Sequence, residues 1–255
     1  VQPNHPLTSR VAVNYHWQHF FGTGLVATAA DFGTMGEPPS HPGLLDWLAV
    51  EFVKGKWNRK DLVRLIVNSE TYRQSSVQSP RHREHDPVNR LLARMSRSRH
   101  PAEQIRDNAL AVSGLLVPAI GGPPVFPTQP GGLYEETGQN EPGNSNFTWK
   151  DSAGDGRYRK SIYTYWKRML LHPSLGTFDA PPRQVCVARR PVTNTPRQAL
   201  VTLNDPIFHE CAQAFARRIA GEHPGAEARL EFAFQQCLSR SPDHEEQKRF
   251  LGFAD

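Results

Sequence analysis

The sequence predicts a mainly α fold: a multi-helix domain with a long Gly/Pro-rich insert and at most a short β element. Three observations carry that prediction. Apolar residues recur at three- and four-residue spacing in one segment after another, as the buried face of a helix requires. Those segments are bracketed by start residues such as Thr8, Ser40, Asn58 and Pro101, and by stop glycines such as Gly22 and Gly55. From Pro118 to Gly156 the periodicity ends and Gly, Pro and Asn take over.

Taken in order, Thr8 is expected to cap a helix running to about Phe21, with Val13, Trp17 and Phe20 or Phe21 as its core stripe. Ser40 is expected to cap the second helix, whose face is Leu44, Leu45, Leu48 and Phe52. Asn58 caps the third, with Leu62, Leu65, Ile66 and Ser69 on one side. Pro101 opens a helix in which Ile105, Ala109, Val112 and Leu116 keep helical spacing. The insert scatters Phe126, Tyr134, Phe147 and Trp149 through a stretch otherwise suited to a loop. So many aromatics predict partial docking of a loosely held segment. Ser161 to Trp166 alternates as a short strand does. Helices then return over Pro196 to Leu203, Pro206 to Ala220, Ala226 to Cys237, and from Pro242 onward after a Ser241 cap. The expected division is a helical part over 1–117, the insert over 118–160 and a second helical part over 161–255, together one composite domain.

The 255 residues are 38% hydrophobic, enough for a buried core, and no run approaches the ~18 apolar residues of a membrane span. Thirty Lys and Arg against 25 Asp and Glu leave a net charge of +5, a weak pointer to an anionic partner. Cys186, Cys211 and Cys237 form no Cys-x-x-Cys pair, so neither covalent haem attachment nor a zinc knuckle is supported. Cys211 and Cys237 read as small buried thiols on amphipathic helices. The chain opens on Val1 and runs at once into Asn4-His5-Pro6, as expected of a C-terminal fragment of a longer polypeptide.

The densest polar motif is Arg189 to Pro206. Thr195 before Pro196 reads as an N-cap, with Ala199, Leu200 and Leu203 as the apolar face. Arg189 and Arg190 beside a helix start have the chemistry to hold an oxyanion, or to pair with an internal carboxylate such as Asp31 or Asp46. Gln198, Asn204 and Asp205 complete the cluster. Asp31, Glu37 and Asp46 are the carboxylates a glycoside hydrolase would need in facing pairs, and Glu37 stands before Pro38-Pro39 in a stiff, extended loop. His16 and His19 are spaced for one metal but have no evident third ligand, so no metal is expected. Arg90, Arg94, Arg97 and Arg99 resemble a phosphate-contacting patch without stacking aromatics, which makes nucleic acid an unlikely partner. There is no Gly-x-Ser-x-Gly elbow, phosphate-cradling loop or His-Glu-x-x-His.

The motif Arg189 to Pro206 joins Trp17-Gln18-His19, Asp31-Phe32-Gly33, Gly36-Glu37-Pro38-Pro39-Ser40-His41-Pro42, Leu44 to Ala49, Thr71 to Ser76 and Asn89 to Leu92. In this order the pieces resemble the planctomycete and spirochaete domain of the PSD type, from Asn4 to about Glu246. That family has no assigned function. The resemblance implies the C-terminal part of a large extracytoplasmic protein, often with a c-type cytochrome module upstream. The upstream domains of the same polypeptide are then its first partners, and an anionic glycan a further one. Any haem is expected upstream and no cofactor in this chain. The role implied is an accessory or scaffold module; a hydrolase or binding protein acting on a polysaccharide or sulfated glycan is the alternative. Tyr15-His16 and the insert depart from the family pattern.

Overall fold

Helix α1 (Thr8–Phe21) presents Val13, Trp17 and Phe21 to the interior, and Gly22 ends it at φ +78°, a left-handed conformation that glycine adopts without steric cost. A computed structural model describes residues 5–130, 149–167 and 171–253. They form eleven α-helices, two 3₁₀ turns and no strand, so the protein is mainly α. They fall into two units, Val1–Arg99 with Cys186–Arg190, and His100–Val185 with Pro191–Asp255.

In the first unit α1 packs on α2 (Pro42–Lys54), followed by α3 (Arg59–Val67), α4 (Glu70–Arg73) and α5 (Pro80–His85). One buried cluster joins Val13, Trp17 and Phe21 to Leu45, Leu48 and Phe52, and to Leu62 and Ile66. Two of the expected start residues, Thr8 and Ser40, are placed differently. Leu7 occupies the first cap, and Thr8 Oγ1 instead meets His5 Nδ1 at 3.0 Å. Pro42 as first helical residue puts His41 at the second cap, which frees Ser40 to donate its N–H to the Leu25 carbonyl at 2.8 Å. Asn58 does cap α3, accepting from the Lys60 N–H at 3.0 Å.

The loop from Gly22 to Ser40 is fastened to that core. Buried Asn14 donates to the Val26 carbonyl at 3.0 Å and accepts from the Val26 N–H at 2.8 Å, the two bonds of a strand pair supplied by one side chain. Gly36 lies so close to the Asp31 carbonyl that a Cβ there would stand 2.0 Å from it, which excludes every other residue type.

The second unit comprises α6 (Ala102–Ser113), 3₁₀ turns at Gly154–Tyr158 and Ser161–Tyr163, and α7 (Pro173–Thr177). Then follow α8 (Pro196–Asn204), α9 (Pro206–Glu222), α10 (Ala226–Leu238) and α11 (His244–Leu251). Residues Ser161 to Trp166 are not a strand: a 3₁₀ turn runs into an isolated bridge at Thr164, where the Val125 N–H donates to the Tyr163 carbonyl at 2.8 Å. The last helix is capped by Asp243 rather than Ser241, because Glu246 reaches back to the Asp243 N–H at 2.9 Å and closes a capping box.

Both flanks of the insert are docked into this unit. Phe126 stacks on Tyr165 at 4.9 Å and meets Trp149 edge-on at 5.2 Å, while the Trp149 indole donates to the Pro127 carbonyl at 3.0 Å. Tyr134 and Phe147 lie outside the described residues.

Candidate functional site

In the first unit each carboxylate of the candidate hydrolase set has a different environment. Asp46 accepts from Arg10 Nε at 2.6 Å, and that hydrogen bond holds its carboxyl below the ordinary value. Glu37 stands 3.7 Å from Arg90, which also donates to the Pro38 carbonyl at 3.2 Å. Asp31 is exposed and uses its backbone, with its carbonyl accepting from Thr28 Oγ1 at 2.9 Å. The contacts of Glu37 and Asp31 shape the loop.

Two hollows open on this unit. One, of about 590 Å³, is walled by Trp17, Leu44, Trp47, Leu48, Leu65 and Ile66, with Asp61 as its one carboxylate. The other, of about 550 Å³, runs between Ala27–Asp31 and Cys186–Arg189. Asp31 and Arg189 share it without an ion pair, and exposed Arg189 makes no hydrogen bond among the described residues. The expected pairing of Arg189 or Arg190 with Asp46 gives way to Arg10 of α1. Arg190 is exposed in the same segment. Gln18, beside Trp17, secures that segment by donating to the Ala188 carbonyl at 3.2 Å.

His19 is exposed and donates through Nδ1 to the Tyr15 carbonyl at 2.8 Å, a bond inside its own helix. Burial pushes the His16 imidazole down, with His19 and Arg59 acting in the same direction. Among the described residues no three His, Cys, Asp or Glu come together as metal ligands. In the basic stretch half-buried Arg90 and Arg94 donate to backbone carbonyls, and exposed Arg97 donates through Nε to Ser76 Oγ at 3.2 Å. The three cysteines are free thiols, and Cys237 is exposed rather than buried because Phe234 takes the inner face of α10.

The remaining motif residues belong to the second unit, where α8 buries an unexpected stripe. Gln198 and Val201 face inward, while Leu200 and Leu203 are 59% and 74% exposed. Gln198 explains the rotation. Its Oε1 accepts from the Thr195 N–H at 3.1 Å, and its Nε2 donates to the Thr177 carbonyl at 2.9 Å and to Thr193 Oγ1 at 3.2 Å. Asp205 closes α8 and caps α9, accepting from the Ile207 N–H at 3.0 Å and from the Ser174 hydroxyl. Asn204 is exposed and donates to the Leu200 carbonyl of its own helix at 2.7 Å, so it has no buried partner to strand.

Sequence reasoning missed the buried polar centre of this unit. Arg106, 2% exposed, donates to the carbonyls of Arg159 at 2.9 Å and Arg157 at 2.6 Å and to Ser161 Oγ at 3.2 Å. The buried stripe of α6 is therefore Ala102, Arg106, Leu110 and Ser113, displaced from the expected Ile105, Ala109 and Val112. The 3₁₀ turns leave those carbonyls unpaired, and a guanidinium has the donors to serve several at once. His172 is 3% exposed, its Nε2 donates to the Thr128 carbonyl at 3.2 Å, and its Nδ1 has no partner among the described residues. A lone Arg among apolar residues gives no periodic signal of burial; the 3₁₀ turns it serves were the missing information.

No helix among the described residues is long and apolar enough to cross a membrane. Searches of curated proteins and of solved structures each return no match. A family model does match, over residues 1–254, and covers both the fastened loop of the first unit and the polar centre of the second. The chain belongs to that family, PSD1, described as a protein of unknown function (DUF1553).

Proposed function

We propose that this chain is a non-catalytic accessory module, a scaffold or binding domain of a larger extracytoplasmic, cytochrome-associated polypeptide. The observation that carries the reading is the use of the motif side chains. Asp46 pairs with Arg10 of α1, Glu37 stands beside Arg90 at the loop, Gln198 and Asp205 each hold a helix end, and each of the hollows described on the first unit is lined by one carboxylate. Retaining and inverting glycosidases both require two facing carboxyls. The chain itself is proposed to supply no haem ligand, with haem carried by an upstream domain, and planctomycetes are the proposed source lineage.

A second reading rests on the hollow shared by Asp31 and Arg189. An exposed guanidinium without a hydrogen bond suits the sulfate or carboxylate of a glycan. The two readings separate in thermal melts run with and without sulfated and uronic-acid glycans, alongside product analysis and a visible spectrum. The accessory reading expects an unchanged melting temperature, no cleavage products and no haem band. A glycan-induced upshift abolished by Arg189→Ala would transfer the assignment to the second reading. An absorption band lost in His19→Ala would overturn the haem assignment.

A further inference from the structure

We propose that buried His172 is an acid-sensitive latch that holds both flanks of the insert, residues 125–130 and 149–152, onto the second unit, and that its protonation releases them while the helices stay folded. His172 stands at the start of α7, 3% exposed, and its ring meets each flank. Its Nε2 donates to the Thr128 carbonyl on the first flank at 3.2 Å, and its ring centre lies 5.8 Å from that of the Trp149 indole on the second. The flanks in turn hold each other. Ser152 donates its N–H to the Phe126 carbonyl at 2.8 Å, the Phe126 N–H donates to Ser152 Oγ at 2.9 Å, and the Trp149 indole donates to the Pro127 carbonyl at 3.0 Å. One imidazole therefore fastens a paired segment at both of its sides. The latch lies wholly in the second unit and stands apart from both readings of the first unit's hollows.

The docked ring is held neutral. With Nε2 as donor, the neutral tautomer leaves Nδ1 as an acceptor, and that atom is buried without a hydrogen-bond partner among the described residues. Protonation turns Nδ1 into a second donor with no acceptor there, on a cation taken out of water. The charged groups around the ring do not reverse this. Arg106 on α6 opposes the proton, while Asp205 at the α8–α9 junction and Asp151 on the second flank favour it, and burial outweighs them, pushing the imidazole below its ordinary value. Asp205 is already engaged by the Ser174 hydroxyl and the Ile207 N–H, and Asp151 by the Trp149 indole at 3.2 Å. Once the flanks come away, the ring meets water and regains its ordinary affinity for the proton. Docking is thus fully favoured above about pH 6.5 and weakens as pH falls, by up to about tenfold in its equilibrium constant per pH unit. The flanks are irregular backbone, attached beyond His172 through the Phe126–Tyr165 stack at 4.9 Å and the pairing of Val125 with Tyr163 and Tyr165; segments of this kind open locally at lower cost than packed helices.

The test is amide hydrogen exchange of the whole chain, followed residue by residue at a series of pH values either side of about pH 6.5 and corrected for the chemical exchange rate at each. The amides of Phe126, Ser152 and Tyr165 should show opening that rises by up to about tenfold per pH unit below about pH 6.5, while those of α6 and α9 keep their protection. In His172→Gln the side-chain amide can still donate to the Thr128 carbonyl but does not titrate, so flank opening should be indifferent to pH over the same range. A pH-independent opening in the parent chain, the same rise in His172→Gln, or a loss of protection in α6 and α9 in step with the flanks would overturn the proposal. Should His172→Gln fold poorly, the parent's own ring decides. Its resonances should remain those of the neutral form while the flank amides are protected and should titrate as those amides open; a ring that gains its proton with the flanks still protected contradicts the latch.

Discussion

Among the described residues the first unit buries ten apolar side chains in one contiguous cluster, with Asn14, Gln18, Asp86 and Asn89 buried beside it, whereas the second has clusters of four and three and buries Arg106, Arg159, Ser161, His172, Ser174, Gln198 and Asp205. The difference follows from local structure. Helices α1 to α3 satisfy their own backbones and meet through apolar faces, with buried Asn14 and Gln18 of α1 serving the loops beside them. The 3₁₀ turns and short helices of the second unit leave carbonyls and N–H groups that side chains must serve. Non-directional burial tolerates exchange of one apolar shape for another of equal volume; a directional network does not.

The largest expected consequence contrasts two volume-conserving changes. Leu48→Met in the first unit should cost less than about 1.5 kcal/mol, because the new side chain refills the same space. Arg106→Met should cost about 3–5 kcal/mol, because it leaves the carbonyls of Arg157 and Arg159 and the Ser161 hydroxyl buried without their donor. Denaturant unfolding of both variants measures the contrast. Equal losses would show that the polar centre is incidental.

Protonation gives the next effect. Burial pushes the His172 imidazole below its ordinary value, with the Thr128 carbonyl acting the other way. Because the native pKa lies below that of the unfolded chain, the unfolded state takes up the proton first as pH falls. The contribution is thus fully present above about pH 6.5, and it declines below that by up to about 1.4 kcal/mol per pH unit until the native group titrates. The second unit should carry this acid sensitivity, and His172→Gln should reduce the slope between pH 6.5 and 5. A slope unaltered by the substitution would assign the acid loss elsewhere.

The smallest effect concerns a residue that looked central in the sequence. Asn204 is exposed and bonded within its own helix, so Asn204→Ala should change stability by no more than about 0.5 kcal/mol. A larger loss would mean that its bond to the Leu200 carbonyl contributes more than an exposed hydrogen bond does.

The same contrast decides how much was legible in the sequence. The apolar stripe of α2 and the cap of α3 are readable because periodicity and an N-cap residue report the physics that operates there. On α8 the spacing is right and the face is not, since Ala199, Leu200 and Leu203 are exposed; on α6 the expected Ile105 and Ala109 do pack against the buried clusters, beside a more deeply buried stripe. In both helices a polar residue, Arg106 or Gln198, takes the inner position, and which face it takes depends on carbonyls 21 to 53 residues away in the chain. The residues of the candidate polar cluster are divided between the units. Arg189 and Arg190 fall in the first unit, whereas Thr195, Gln198 and Asp205 fall in the second.

On the accessory-module proposal the motif side chains of α8 and its flanks hold the fold. Gln198 tests it most directly, since its amide bridges the Thr195 N–H, the Thr177 carbonyl and the Thr193 hydroxyl at 5% exposure. Denaturant unfolding of Gln198→Ala should show a loss of about 1–3 kcal/mol, the cost of leaving those buried groups unpaired. Unchanged or increased stability would contradict the account, because polar groups held for a ligand commonly lower stability, and their removal then raises it.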